Sequence, residues 1–242
     1  MPKTDKMQVT EDKYYISDIF ESIQGEGNFA GVYSLFIRFH FCNLTCNWCD
    51  TKYTWLEKSG TFKIYSEEEI RNIIRKSKPY HIIFTGGEPA LYRLDKLALE
   101  GKKIHVETNA TIIPTSKLLL ELTDKTIFER DSMDEKIVST FNWVVSPKLN
   151  NSKQKVNEEA LNYWTRQKFC IYKFIIKSLD DLDEIEQFIY KFGISDQKVY
   201  IGLEGITLQS QVNPDLVADI IRRGYNFSPR LQVLLWGNER GR

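Results

Sequence analysis

The chain has 242 residues, with 33 Lys plus Arg against 33 Asp plus Glu, so its formal net charge is zero. That excludes a generally basic nucleic-acid coat and a polybasic membrane anchor. Hydrophobic residues make up 42% and charged residues 27%, the mix of an ordinary globular chain, and a chain this long needs neither disulfides nor a metal merely to fold. No apolar run is long enough to span a bilayer, and the polar start from Met1 to Tyr15 lacks the apolar centre of a secretory signal. A reducing, cytoplasmic setting is expected, with no nucleic-acid or membrane partner. Residues 1–13 are expected to be disordered, and residues 14–242 to form a single domain.

Taken in order, Tyr33 to Phe41 reads as a strand that delivers Cys42 at its end. Ser66-Glu-Glu-Glu69 is a capping box opening a helix through Ile70, Ile73 and Ile74. Strands follow at His81–Phe84 and Lys103–Val106, with a short helix over Leu91–Leu99 between them. Residues 115–142 lack a clear apolar period from 121 onward and read as a polar insertion or loop. Further strands are expected at Trp143–Val145, Phe169–Ile176 and Val199–Leu203. Helices are expected at Asp180–Phe192, stopped by Gly193, and at Pro214–Arg223, stopped by Gly224. Leu231–Trp236 reads as a final strand. The alternation implies βαβ units and a mostly parallel α/β sheet. Roughly six strand-plus-helix repeats are too few for a closed eight-fold barrel and fit a partial one. Chemistry in such folds lies at the carboxyl ends of the strands.

Four polar motifs follow four of these strands, and so converge on one rim. The first is Cys42-Asn-Leu-Thr-Cys46-Asn-Trp-Cys49, three of the four cysteines in the chain. Clustered thiolates in a reducing setting favour an iron–sulfur cluster, zinc or copper(I). Three of them leave one iron of a four-iron cluster open, the mark of a reacting site. The competing reading is zinc completed by a histidine, with His40 nearest. Cys170 lies in an apolar strand and reads as a buried, inert thiol. Thr85-Gly-Gly-Glu-Pro89 places a glycine pair and a carboxylate after the next strand, where glycines let a ligand approach the backbone. Glu107-Thr-Asn109 and Ser146-Pro-Lys148 follow the next two. The five Trp and 12 Tyr are expected mostly in the core.

The cysteine pattern with a Gly-Gly-Glu-Pro segment on the next strand resembles the radical S-adenosylmethionine superfamily. Ile23-Gln-Gly-Glu-Gly27, Phe36-Ile-Arg38, Cys49-Asp-Thr-Lys-Tyr-Thr-Trp55, Glu107-Thr-Asn109, Ser146-Pro-Lys148 and Leu234-Leu-Trp-Gly-Asn-Glu-Arg-Gly241 are similar, in matching order, to the 7-carboxy-7-deazaguanine synthases within it. The resemblance implies a partial (β/α)6-type TIM barrel carrying a [4Fe-4S] cluster on Cys42, Cys46 and Cys49. It implies one-electron cleavage of S-adenosylmethionine to a 5′-deoxyadenosyl radical. The substrate would be 6-carboxy-5,6,7,8-tetrahydropterin, which loses hydrogen from C6, contracts its ring and releases ammonia. By the same resemblance, Trp48, Cys49, Asp50, Gly87, Glu88, Glu107, Ser146, Pro147 and Lys148 meet S-adenosylmethionine. Thr51 binds Mg2+, and Ile23, Gln24, Gly25, Arg38 and Thr85 meet the substrate. A fork such as Arg38 suits a carboxylate. An electron donor such as flavodoxin or ferredoxin, and a homodimer, are expected on the same ground.

Three places depart from the family pattern: Ala110 where a glycine is common, Gln232 where some members carry histidine, and the Gly202-Leu-Glu-Gly205 segment. None touches the cysteine motif. Within the superfamily, the alternative is an activating enzyme that generates a glycyl radical on a partner protein. The early Gln-Gly-Glu-Gly and the C-terminal Trp-Gly-Asn-Glu-Arg-Gly argue against it.

Overall fold

A computed structural model describes residues 7–237 and 239–242. Strands β1 (Gln8–Val9), β2 (Lys13–Ile23) and β3 (Tyr33–Phe39) come first. Strand β4 (Lys63–Ser66) feeds helix α1 (Glu67–Lys76), whose capping box is formed as read from the sequence. Glu69 N donates to Ser66 Oγ while Ser66 N donates back to the Glu69 carboxylate at 2.8 Å. Strands β5 (His81–Gly86), β6 (Lys103–Thr108), β7 (Leu118–Glu121) and β8 (Ile127–Arg130) follow, then α2 (Glu135–Val138) and β9 (Asn142–Val145). The rest alternates: α3 (Glu158–Thr165), β10 (Cys170–Ile176), α4 (Leu179–Phe192), β11 (Val199–Leu203), α5 (Pro214–Arg222), β12 (Asn226–Phe227) and α6 (Leu231–Trp236).

One nine-stranded sheet runs β12-β11-β10-β9-β6-β5-β3-β2-β4. From β3 through β12 each neighbouring pair is parallel, while β2 and β4 pair antiparallel at one edge. Every crossover steps to the adjacent strand, so the carboxyl ends of β3, β5, β6, β9, β10 and β11 form one rim, as in a partial barrel. The α/β partial barrel expected from the alternation is the fold. The interior is not hollow below that rim. The segment after β2 crosses it as a floor: Gln24 reaches Glu107 on β6, Glu26 reaches Lys173 on β10, and Phe29 packs edge-on to His105 with centroids 4.4 Å apart.

Four local readings are corrected. Leu91–Leu99 is not an α-helix; two 3-10 turns, Pro89–Leu91 and Leu94–Leu97, replace it. Proline opens the first turn and the Arg93–Asp95 ion pair holds the second, at 2.9 Å. Leu231–Trp236 is helical, because a short apolar run has no period that separates strand from helix. The segment over residues 115–142 is not a loose loop. Strands β7 and β8 form an antiparallel hairpin joined by β1, and the buried Arg130 donates to the carbonyls of Ala90, Pro114, Ser116 and Asp131. The start of the chain is also tied down: Val9 is buried, and Glu11 accepts from Arg93 at 3.1 Å. Residues 1–6 of the expected disordered segment lie outside the described residues.

Candidate active site

The cysteine segment leaves β3 at Phe39 and turns through Phe41, whose φ is +70°. Beside it runs the glycine pair. A side chain on Gly86 would strike Phe39 O at 2.3 Å, and one on Gly87 would strike Phe41 O at 1.9 Å. Backbone bonds from Gly87 N to Phe39 O and from Glu88 N to Phe41 O close this contact. The glycines are therefore required first by the backbone carrying the cysteines, and both also line the cavity.

Cys42, Cys46 and Cys49 are free thiols at the wall of a cavity of about 480 Å3, a normal size for a small-molecule site. Donors point at their sulfurs: Leu44 N to Cys42 Sγ at 3.4 Å, Asn109 Nδ2 to Cys42 Sγ at 3.8 Å, and Thr51 N to Cys49 Sγ at 3.4 Å. Burial, with the Glu88 carboxylate nearby, pushes the Cys42 thiol up; burial also raises Cys46, against the pull of Lys148. Zinc completed by His40 is ruled out by geometry. His40 is fully buried, with Nδ1 bonded to Ser17 Oγ and Nε2 to Leu56 O, both at 2.8 Å. Cys170 is a buried thiol on β10 that donates to Gln167 O at 3.2 Å, as its apolar strand implied. Among the described residues no three His, Cys, Asp or Glu converge on a single ion. Three free thiols at one cavity, with N–H donors at the Cys42 and Cys49 sulfurs, fit residues that would hold an iron–sulfur cluster.

The other site residues divide. Trp48 donates to Asn151 Oδ1 at 3.2 Å, and Lys148 Nζ stands 5.2 Å over its ring while donating to Ser146 Oγ at 2.8 Å. These line the cavity together with Asp50, Thr51 and Glu107. Glu88 and Pro147 do not line it. Glu88 is fully buried and its carboxylate accepts from Ala90 N, Thr108 Oγ1 and Asn109 N at 2.9, 2.8 and 2.7 Å. Its side chain locks the turn after β5 to the end of β6 rather than reaching a ligand.

The residues assigned to the substrate line the same cavity. Gln24 Nε2 and Thr85 Oγ1 both donate to the Glu107 carboxylate, at 3.1 and 2.6 Å. Ile23 and Gly25 line the floor, and Gly25 lies directly under Gln232. Arg38 pairs with Asp18 at 3.4 Å, yet its buried Nε has no hydrogen-bond partner among the described residues. Phe20 and Phe36 stack beside it, with centroids 5.0 Å apart and an interplanar angle of 4°.

Sequence reasoning missed an ionic network across this cavity. Glu26 accepts from Lys173 at 2.6 Å, Arg230 at 3.1 Å and Gln232 at 2.7 Å. Arg230 also pairs with Asp50 and donates to Gly205 O. Burial works against an ionised Glu26, but the two cations outweigh it and hold the carboxyl far below the usual range. A lysine within the apolar run of β10 was the available signal for Lys173; Arg230 had none. At the departures from the family pattern, Gln232 fills a site-facing position, Ala110 adopts φ +69°, and Glu204 and Gly205 line the cavity while Gly202 does not.

Comparison with known proteins agrees with this geometry. Residues 36–128 match the radical SAM superfamily model. The chain is 30% identical to a 7-carboxy-7-deazaguanine synthase of Rhodopirellula baltica, covering 97% of this chain and 91% of that one. It is 31% identical to another from Thermoplasma acidophilum, covering 93% and 99%. Its fold is similar to the crystal structure of QueE from Escherichia coli, with TM-score 0.64 and 24% identity over 89% of this chain and 93% of that one. With 30–31% identity over nearly the full length of both chains, the chain belongs to the 7-carboxy-7-deazaguanine synthase family of radical SAM proteins.

Proposed function

We propose that the chain is a carbon–nitrogen lyase that converts 6-carboxy-5,6,7,8-tetrahydropterin into 7-carboxy-7-deazaguanine with loss of ammonia, in 7-deazapurine (queuosine-type) biosynthesis. The observation that carries this is one cavity lined both by three free thiols and by Arg38, whose buried Nε has no hydrogen-bond partner among the described residues. The names of the relatives point the same way and give no support to the glycyl-radical alternative. When bound, the cluster and S-adenosylmethionine supply one-electron homolysis and hydrogen abstraction.

The protein's part is to bind, orient and exclude water. Cys42, Cys46 and Cys49 hold the cluster. Trp48, Asp50, Gly87, Glu107, Ser146 and Lys148 flank the cofactor, with Glu88 and Pro147 shaping that wall from behind. Thr51 offers a hydroxyl to Mg2+, which keeps waters and substrate oxygens in its shell. Phe20 and Phe36 give a flat apolar surface for a fused ring, and Ile23 and Gly25 support it from the floor. Arg38 takes the substrate carboxylate. The Gln24–Glu107–Thr85 group presents hydrogen-bonding atoms to the ring edge. Residues 14–242 act as one radical SAM domain, working as a homodimer and reduced by a flavodoxin or ferredoxin.

The test is anaerobic reconstitution with iron and sulfide, then incubation with carboxy-tetrahydropterin, S-adenosylmethionine, Mg2+ and a reductant. Formation of 7-carboxy-7-deazaguanine and ammonia in equal amounts, with S-adenosylmethionine recovered, supports the reading. Deoxyadenosine formed without pterin turnover contradicts it.

A further inference from the structure

Two arginines of the C-terminal segment contact the sheet, one just past β11 and one at β2. Arg230 is bound to Gly205 O, and Arg240 reaches β2. There Arg240 Nε donates to Asp18 Oδ1 at 2.8 Å and Arg240 Nη2 donates to Ser17 O at 3.2 Å. The Arg240 guanidinium also covers the Tyr53 ring, 4.1 Å from its centroid, and Tyr53 OH donates to Asp18 Oδ2 at 3.0 Å.

Asp18 thus serves three partners from three elements. One of its oxygens is taken by the tail and the other by Tyr53, the residue two beyond Thr51. Arg38 is left with a charge contact to Oδ2 at 3.4 Å and an Nε that makes no hydrogen bond. Alone with Asp18, Arg38 would close the two-point pair that arginine and carboxylate prefer. That pair would satisfy its fork and quench its charge. Two guanidiniums sharing one carboxylate instead leave a net positive charge at this wall of the cavity, which Arg38, Tyr53 and Arg240 all line.

We propose that Arg240 is a positioning residue for Arg38, acting through Asp18: it draws the Asp18 carboxylate aside, so that the Arg38 fork stays available to the carboxylate of the substrate. This rests on the reading of Arg38 given under Proposed function. Loss of Arg240 frees Asp18 to close on Arg38, and the carboxylate end of the substrate loses its anchor. Removal of the Asp18 charge as well removes the competitor, and Arg38 becomes available again.

The experiment measures dissociation constants of the reconstituted protein, with S-adenosylmethionine and Mg2+, for 6-carboxypterin and for pterin lacking the carboxylate. The readout is their ratio in the native chain, Arg240→Ala, Asp18→Asn/Arg240→Ala and Arg38→Ala. The native chain is expected to favour 6-carboxypterin by about tenfold or more, the scale of one charged hydrogen bond. Arg240→Ala should lose most of that preference, and the double variant should recover it to within about threefold. A merely structural tail contact would not be repaired by a second lesion in it. An unchanged ratio in Arg240→Ala, or a double variant no better than the single, overturns the proposal. A native chain with no preference, or full preference kept by Arg38→Ala, overturns the Arg38 reading and this proposal with it.

Discussion

Lys173 donates to Glu26 at 2.6 Å beneath the cavity, tying the loop after β2 to the middle of β10. With Arg230 and Asp50 this pair forms a charged bridge from the barrel floor to the cysteine segment. Removing one member of a nearly buried set leaves the others uncompensated, so Glu26→Gln should destabilise the protein by about 3–5 kcal/mol. The folded-state carboxyl is depressed, so its contribution is present above the unfolded value near ~4.3 and is lost as pH falls below it. Denaturant melts of both forms should differ at pH 7 and converge in acid. A gap that persists undiminished in acid would contradict the assignment.

Burial pushes the Cys42 and Cys46 thiols up, further from the thiolate form that binds iron. Cluster assembly should therefore release protons and run faster at higher pH. Iron uptake followed in weak buffer tests this; assembly without proton release would mean that the thiols are already ionised.

Arg38→Ala should raise the KM for the carboxylated pterin by at least about tenfold, while binding of S-adenosylmethionine changes little. A near-native KM would place the carboxylate elsewhere.

Thr51 offers its Oγ1 3.5 Å from Cys49 Sγ, at the cavity wall. Thr51→Ala should shift the Mg2+ titration of activity to higher concentration. An unchanged titration removes Thr51 from the metal site.

Ala110 holds a left-handed conformation at φ +69°, which costs a residue with a Cβ about 1–2 kcal/mol. Glycine there relieves that strain but adds about 0.5–1 kcal/mol of backbone entropy cost. Ala110→Gly should therefore raise stability by about 0.5–1 kcal/mol, read as a higher melting temperature. A clear loss would show that the Ala110 methyl contributes more to packing than the strain costs.

The parallel strands were legible because β3, β5, β6, β10 and β11 are apolar runs bounded by turn residues. The cysteine segment was legible because its chemistry lies in consecutive positions. What the sequence hid was long-range. Glu88 looked like a ligand, but its acceptors are used by Thr108 and Asn109, which only the folded β5–β6 contact brings near. Lys173, Arg230 and Glu26 are far apart in the chain and meet only after the barrel closes. Leu231–Trp236 was misread because length and apolarity alone do not distinguish a short strand from a short helix.

The most direct test of the central claim is electron paramagnetic resonance of anaerobically reconstituted, reduced protein before and after addition of S-adenosylmethionine. The expected result is a [4Fe-4S]+ signal that shifts on addition, because one iron lacks a protein ligand, and that disappears in Cys42→Ala, Cys46→Ala or Cys49→Ala. A signal indifferent to S-adenosylmethionine, or one that survives loss of any of the three cysteines, would contradict it.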